Sequence, residues 1–227
     1  MKLTAALGLR LMALSAAMTG ANALISPLHA QNDGTERLTD VRARAAIQLV
    51  IKNTNAKHLP IDPLIRKVRE GVAKQSEPAR IEVAVQLLAK RLETAAAALV
   101  PVFSVEELSA GADALQAGVP AETLRDLRKV WVSKPLTVPL GILYELVSRE
   151  VSVTQATKRV RELMQKGAND AQLATMSTRV VADVDAGLTP DAALELRTRG
   201  VISLLSSTPQ GTVPTSAAPP KPPIRPK

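Results

Sequence analysis

The chain has 227 residues, no Cys, and only three aromatic side chains, Phe103, Trp131 and Tyr144. The missing Cys excludes disulfides, thiolate metal sites, a Cys nucleophile and an acylated lipoprotein Cys, and so few aromatic faces disfavour a stacking platform for single-stranded nucleic acid or sugars. The net charge of +8 gathers at the two ends, because residues 31–200 hold 24 basic against 21 acidic side chains, too even a mixture for the dense basic stripe of a nucleic-acid binder.

Residues 1–30 read as a bacterial-type secretory signal peptide. Met1-Lys2 and Arg10 supply positive charge, residues 11–18 form a short apolar core, and no acid precedes Asp33. Ala21-Asn22-Ala23 and Leu28-His29-Ala30 are small-residue cleavage sites, so the mature chain is expected to begin at Leu24 or Gln31. Thr19-Gly20, Asn22 and Pro27 interrupt the apolar run well short of the ~20 residues of a membrane span. A mitochondrial transit peptide would want more Arg than Arg10 alone. The expectation is an exported protein, periplasmic or secreted, with no transmembrane segment after signal removal.

A polar linker, 31–38, leads into a helical domain expected over 39–205. The first helix is placed at about Thr39 to Lys57, with Val41, Ala45, Leu49 and Ile51 facing inward. Pro60-Ile61-Asp62-Pro63 opens a second, reaching about Lys74, with Gly71 a weak point near its end. Glu77-Pro78 opens the longest, to about Val100, on a stripe of Ile81, Val85, Leu88, Leu92, Ala96 and Leu99.

Shorter units follow. Ser104 with Glu107, and Ser152 with Gln155, read as capping boxes. Gly118-Val119-Pro120, Thr137-Val138-Pro139, Gly167-Ala168-Asn169-Asp170 and Gly187-Leu188-Thr189-Pro190 open the others, and Gly200 is expected to close the last, with Val201-Ile202-Ser203-Leu204-Leu205 adding a further helical turn or packing on the body. Their inner faces are Leu124, Leu127 and Trp131, then Ile142, Leu143 and Leu146, then Val160, Leu163 and Met164, then Leu173, Met176 and Val180. Start signals near 104, 120, 137, 152, 169 and 189 give about one helix and turn per 16 residues. Units so short must bury their stripes against neighbours. A pair approaches the tetratricopeptide period, but the Trp, Gly-Tyr and Phe-Pro positions of that repeat are missing. The fold class is therefore all-α: a compact array of about nine mostly short antiparallel or orthogonal helices, without a sheet. Residues 206–227 are Pro, Ser, Thr and Ala-rich with Lys221, Arg225 and Lys227, and read as a disordered, extended tail.

Arg69-Glu70-Gly71, the run 111–120 from Gly111 to Pro120, and 196–201 from Leu196 to Val201 carry a resemblance. Through them the stretch from about Leu59 to Gly200 is similar to a group of uncharacterised, Ala-rich exported bacterial proteins. That resemblance implies export and a helical fold, and it transfers no activity and no site.

Chemistry-bearing residues are sparse. His58 is the one His beyond the signal, and its place before Pro60 reads as a solvent-facing loop. Asp183 and Asp185 superficially match a calcium loop, but Gly187, Leu188 and Leu194 stand where Asp or Asn, Gly and Glu are required, so the run reads as a polar helix end. Glu106, Glu107 and Asp113 read as first-turn charge or solvated faces. Arg125, Arg128 and Lys129, and Lys158, Arg159, Arg161 and Lys166, read as solvated outer faces opposite apolar stripes. The tail fits a PxxPx-basic ligand for SH3-type domains, although a stiff cationic spacer is the simpler reading. No catalytic, cofactor or metal residue is assigned. The leading reading is a non-enzymatic envelope protein that works by protein–protein contact. The alternatives are an envelope adaptor whose Lys221, Arg225 and Lys227 touch anionic lipid or wall polymer weakly, and an enzyme without a recognisable site.

Overall fold

The computed structural model describes residues 34–102 and 104–207, all within one structural unit, 33–227. The expected signal segment, and the tail residues Lys221, Arg225 and Lys227, lie outside the described residues. Among the described residues there are nine α-helices and no strand. They are α1 (Val41–Ala56), α2 (Asp62–Ala73), α3 (Pro78–Ala98), α4 (Val105–Gln116), α5 (Ala121–Val130), α6 (Thr137–Ser148), α7 (Val153–Gln165), α8 (Asp170–Asp185) and α9 (Pro190–Ser207). The all-α expectation holds, and none of these helices is long and apolar enough to cross a membrane.

Six helix ends close in the same way. After α4, Gly118 N–H donates to the Leu115 carbonyl and Val119 N–H to that of Ala114. This is the pair of bonds that satisfies the last orphan carbonyls of a helix, and it puts the first donor in the left-handed region. Gly118 has φ 99°, and Gly167 and Gly187 repeat the closure after α7 and α8. His58, Gln75 and Glu150 do so after α1, α2 and α6, with φ of 56°, 53° and 67° and no glycine. His58 is thus an exposed helix stop, as its loop position implied.

Four expectations need correction. The inner face of α1 is Ala43, Ile47 and Thr54, while Val41 and Leu49 are exposed; the register is set by what α3 covers. The 31–38 linker ends in a packed turn, with Thr35 and Leu38 buried and Arg44 donating to the Glu36 and Leu38 carbonyls. Gly200 does not end α9, which runs on to Ser207 because Val201, Ile202 and Leu205 still pack on the core. Among the described residues a complete capping box is seen at Asn169 and Gln172. Ser104 and Ser152 each cap one N–H, at 3.1 and 3.3 Å, but the Ser152 N–H goes to Asp191 of α9.

The helices stack as a ladder. Every extensive packing contact joins helices one or two positions apart in the chain: α3 on α1 and α2, α4 and α5 on α3, then α6 on α4, α7 on α5 and α6, α8 on α6, and α9 on α7 and α8. One apolar cluster runs through the array from Leu38 to Leu194. Glycine makes possible two close approaches of one helix to the next. A Cβ on Gly71 would lie 2.6 Å from the Ile81 side chain, and one on Gly111 2.9 Å from Leu99.

Glu107 and Arg128, expected on solvated faces, form a buried ion pair, with the Glu107 side chain fully enclosed and Arg128 5% exposed. The Arg128 guanidinium also donates to the carbonyls of Leu99 at 3.2 Å, Trp131 at 3.0 Å and Lys134 at 2.8 Å. The same Glu107 oxygen accepts the Leu136 N–H at 2.6 Å. One pair therefore satisfies the end of α3, the end of α5 and the loop that starts α6. Arg128 reaches inward because it sits one residue beyond Leu127, at the edge of the buried stripe, where a long stem can be covered by apolar neighbours.

Replacing Arg128 by Met should cost about 3–5 kcal/mol in urea unfolding, since Glu107 would be left charged and buried. Arg125→Met, on the exposed side of the same helix, should stay within about 0.5 kcal/mol. The double variant Glu107→Leu/Arg128→Met should lose less than the two single losses added. At the helix ends, Gly118→Ala should cost about 1 kcal/mol, and Glu150→Gly should move stability the opposite way.

Candidate functional site

The last two helices carry an apolar groove of about 460 Å³ between the N-terminal half of α8 and the C-terminal half of α9. Asn169 and Gln172 fix where α8 begins by capping each other. The spacing of Leu196, Gly200 and Leu204, four residues apart, then puts these three on one line of α9. They form the apolar wall together with Val201, and Met176 is the buried floor. The α8 wall is polar: Gln172, Thr175 and Arg179. Leu196 is 52% exposed and Leu204 62%.

Salt links hold the two walls in place. Arg197 donates twice to Asp183, at 2.5 and 2.6 Å. These bonds draw the Asp183 carboxyl below its ordinary value, against a smaller opposing effect of burial. Arg159 of α7 bridges Glu162 and Glu195, joining α9 to its other neighbour. It is mostly buried, so the expectation of a solvated Arg159 is also corrected, while Lys158, Arg161 and Lys166 are exposed as expected. Asp183 and Asp185, the two acids of the run compared with a calcium loop, are tied to Arg197 and Arg149. No group of three or more His, Asp or Glu close enough to hold a metal occurs among the described residues.

A second, polar cleft of about 220 Å³ lies between α2 and α4, with Arg66, Lys67, Glu70 and Asp113 on its walls. Hydrogen bonds from Lys67 and Lys74 hold Glu70 at about 2. Burial raises Asp113 against the pull of Lys67, Arg91 and Arg66. The charges of this cleft largely answer one another, whereas the α8–α9 groove offers uncovered apolar surface. His58 lies far along the chain from that groove, in a shallow hollow beside Leu59, Pro60 and Ser104.

Sequence reasoning placed Met176 in the core but overlooked Leu196, Gly200 and Leu204. The signal was a helix-interior glycine with Leu four residues to either side, hidden by reading Gly200 as a stop. No family model, curated protein or solved structure matches the chain.

Asp183→Asn should lower the melting temperature at neutral pH by loosening α8 from α9. A carboxyl with a depressed folded value stabilises fully above its ordinary value of 3.8 and loses that contribution as pH falls below it. The melting-temperature gap between the wild type and Asp183→Asn should therefore persist to about pH 5 and close in more acid solution.

Proposed function

We propose that this is an exported, non-enzymatic helical protein that acts by protein–protein contact in the bacterial envelope. The observation that carries the reading is the uncovered apolar groove at the α8–α9 end of the array, with Leu196 and Leu204 open to solvent. Exposed apolar surface that is contiguous and framed by polar residues is characteristic of interaction sites. The charge and Ala-x-Ala pattern of residues 1–30 supports export. A chain without Cys that is exported must be held by its core alone, and the continuous cluster from Leu38 to Leu194 supplies such a core.

N-terminal sequencing of the protein recovered from the envelope or medium should begin at Leu24 or Gln31. A short-range amine crosslinker applied to intact cells should move most of it into heavier protein complexes. Met1 retained on a cytoplasmic protein would overturn export, and a product that stays at monomer mass under crosslinking would overturn the contact function.

A further inference from the structure

Resting on that reading, we propose that the α8–α9 groove receives an amphipathic helix of a partner protein. The helix lies with apolar side chains on Leu196, Gly200 and Leu204, and sets a carboxylate on Arg179.

The ladder itself points to a helix as occupant. α8 turns Leu173, Ser177 and Val180 toward the body, where Ser177 donates to Glu145 of α6 at 2.5 Å. α9 likewise buries Ala193, Leu194 and Thr198. The groove residues Thr175 and Arg179, and Leu196, Gly200 and Leu204, lie about half a turn around from these. They face the side on which the next helices of the array would stack. Stacked arrays normally end in a polar face that keeps the last core dry and soluble. Here the α8 half is polar and the α9 half is not.

Gly200 adds an independent mark. Within a helix it costs roughly 1 kcal/mol relative to Ala. Gly71 and Gly111 offset that cost through close packing inside the chain, but a Cβ on Gly200 would meet nothing within 4 Å. The same holds for Gly141 of α6, though Gly200 is the one on the groove wall. A notch flanked by Leu196 and Leu204 lets a second backbone approach closely between two apolar ridges.

Charge selects the class of helix. Arg197 is occupied by Asp183, while Arg179 has no ion-pair partner among the described residues, and the groove lining contains no acid. An occupant with one apolar face and a carboxylate at its edge matches both walls. An acyl chain would leave the polar α8 wall unanswered. The chain's own tail brings Lys221, Arg225 and Lys227 to an already cationic rim, and a second copy brings another Arg179.

The test uses the full chain in the cells that produce it, with the photo-crosslinker p-benzoylphenylalanine in place of Leu196 or, separately, of the exposed Val83 on α3. Mass spectrometry should map the Leu196 crosslink to a partner segment with apolar residues at i, i+3 or i+4, and i+7, and an Asp or Glu beside them. That segment, made as a peptide, should bind the purified protein. Gly200→Leu, which fills the notch and strengthens the helix, and Arg179→Glu should each weaken binding tenfold or more. Circular dichroism melting temperatures should be unchanged or raised for Gly200→Leu. A Leu196 crosslink to a second copy, to residues 208–227 or to lipid overturns the proposal, as does peptide binding indifferent to both variants. Crosslinks from Val83 but not Leu196 would remove the groove and leave the contact function standing, whereas none from either position would remove both.

Discussion

The ion pair of Glu107 and Arg128 is the constraint on which the middle of the array depends. Short helices end often, and each end leaves carbonyls and N–H groups without helical partners. Where ends are exposed, water or a glycine closure satisfies them. Where three ends meet in the interior, between α3, α5 and α6, something must be brought in. Arg128 brings several donors in one planar fork, and Glu107 accepts both the fork and the Leu136 N–H. Desolvating two charges is costly, but each is also hydrogen-bonded to backbone, which is the condition under which such a pair is tolerated. With that junction closed, the Leu99, Leu124, Leu127 and Leu136 side chains can be fully buried around it.

Beyond the junction, stability passes from neighbour to neighbour. No described helix packs extensively on another more than two positions away, so local closures matter more than in a domain with one central core. The repeated helix stop at Gly118, Gly167 and Gly187 serves that economy. The first two stops also bury the residue after them, Val119 and Ala168, against the end of the helix just finished, whereas Leu188 after Gly187 stays exposed. Ionic ties then fasten the last pair: Arg197 to Asp183, Arg159 to Glu195, and Arg149 to Asp185.

The contrast between the two clefts shows why burial and charge must be read together. In the cleft between α2 and α4, Lys67 and Lys74 at the turns on either side of Glu70 draw Glu70 down to about 2, and the two cations on the walls, Arg66 and Lys67, are matched by two carboxylates, Glu70 and Asp113. Between α8 and α9, Arg197 is neutralised and Arg179 is not, over a wall of Leu196, Gly200 and Leu204. Only the second leaves both apolar area and charge for another molecule to complement.

Helix type and position were legible in the chain itself, because they rest on local chemistry: apolar residues at helical spacing, Ser or Asn before a first turn, Gly after a last one. The starts of α4 to α9 and the buried stripes of α5, α7 and most of α3 follow from those signals alone. Helix stops at His58, Gln75 and Glu150 were not legible as such, since the left-handed conformation there is imposed by packing on residues that only tolerate it. The face of α1 was decided by α3, and the continuation of α9 past Gly200 by the cover its last turns find on the core. The fate of charged residues was decided most completely by tertiary structure. Arg125, Arg128 and Lys129 carry the same charge on one helix, yet Arg128 alone is drawn inside, because the Leu99 carbonyl and the Glu107 carboxylate from distant parts of the chain converge on it together with the nearby carbonyls of Trp131 and Lys134. Local sequence determines where a helix begins and which stripe is apolar; which helices meet, and what their ends then require, depends on contacts between residues 20 to 40 positions apart.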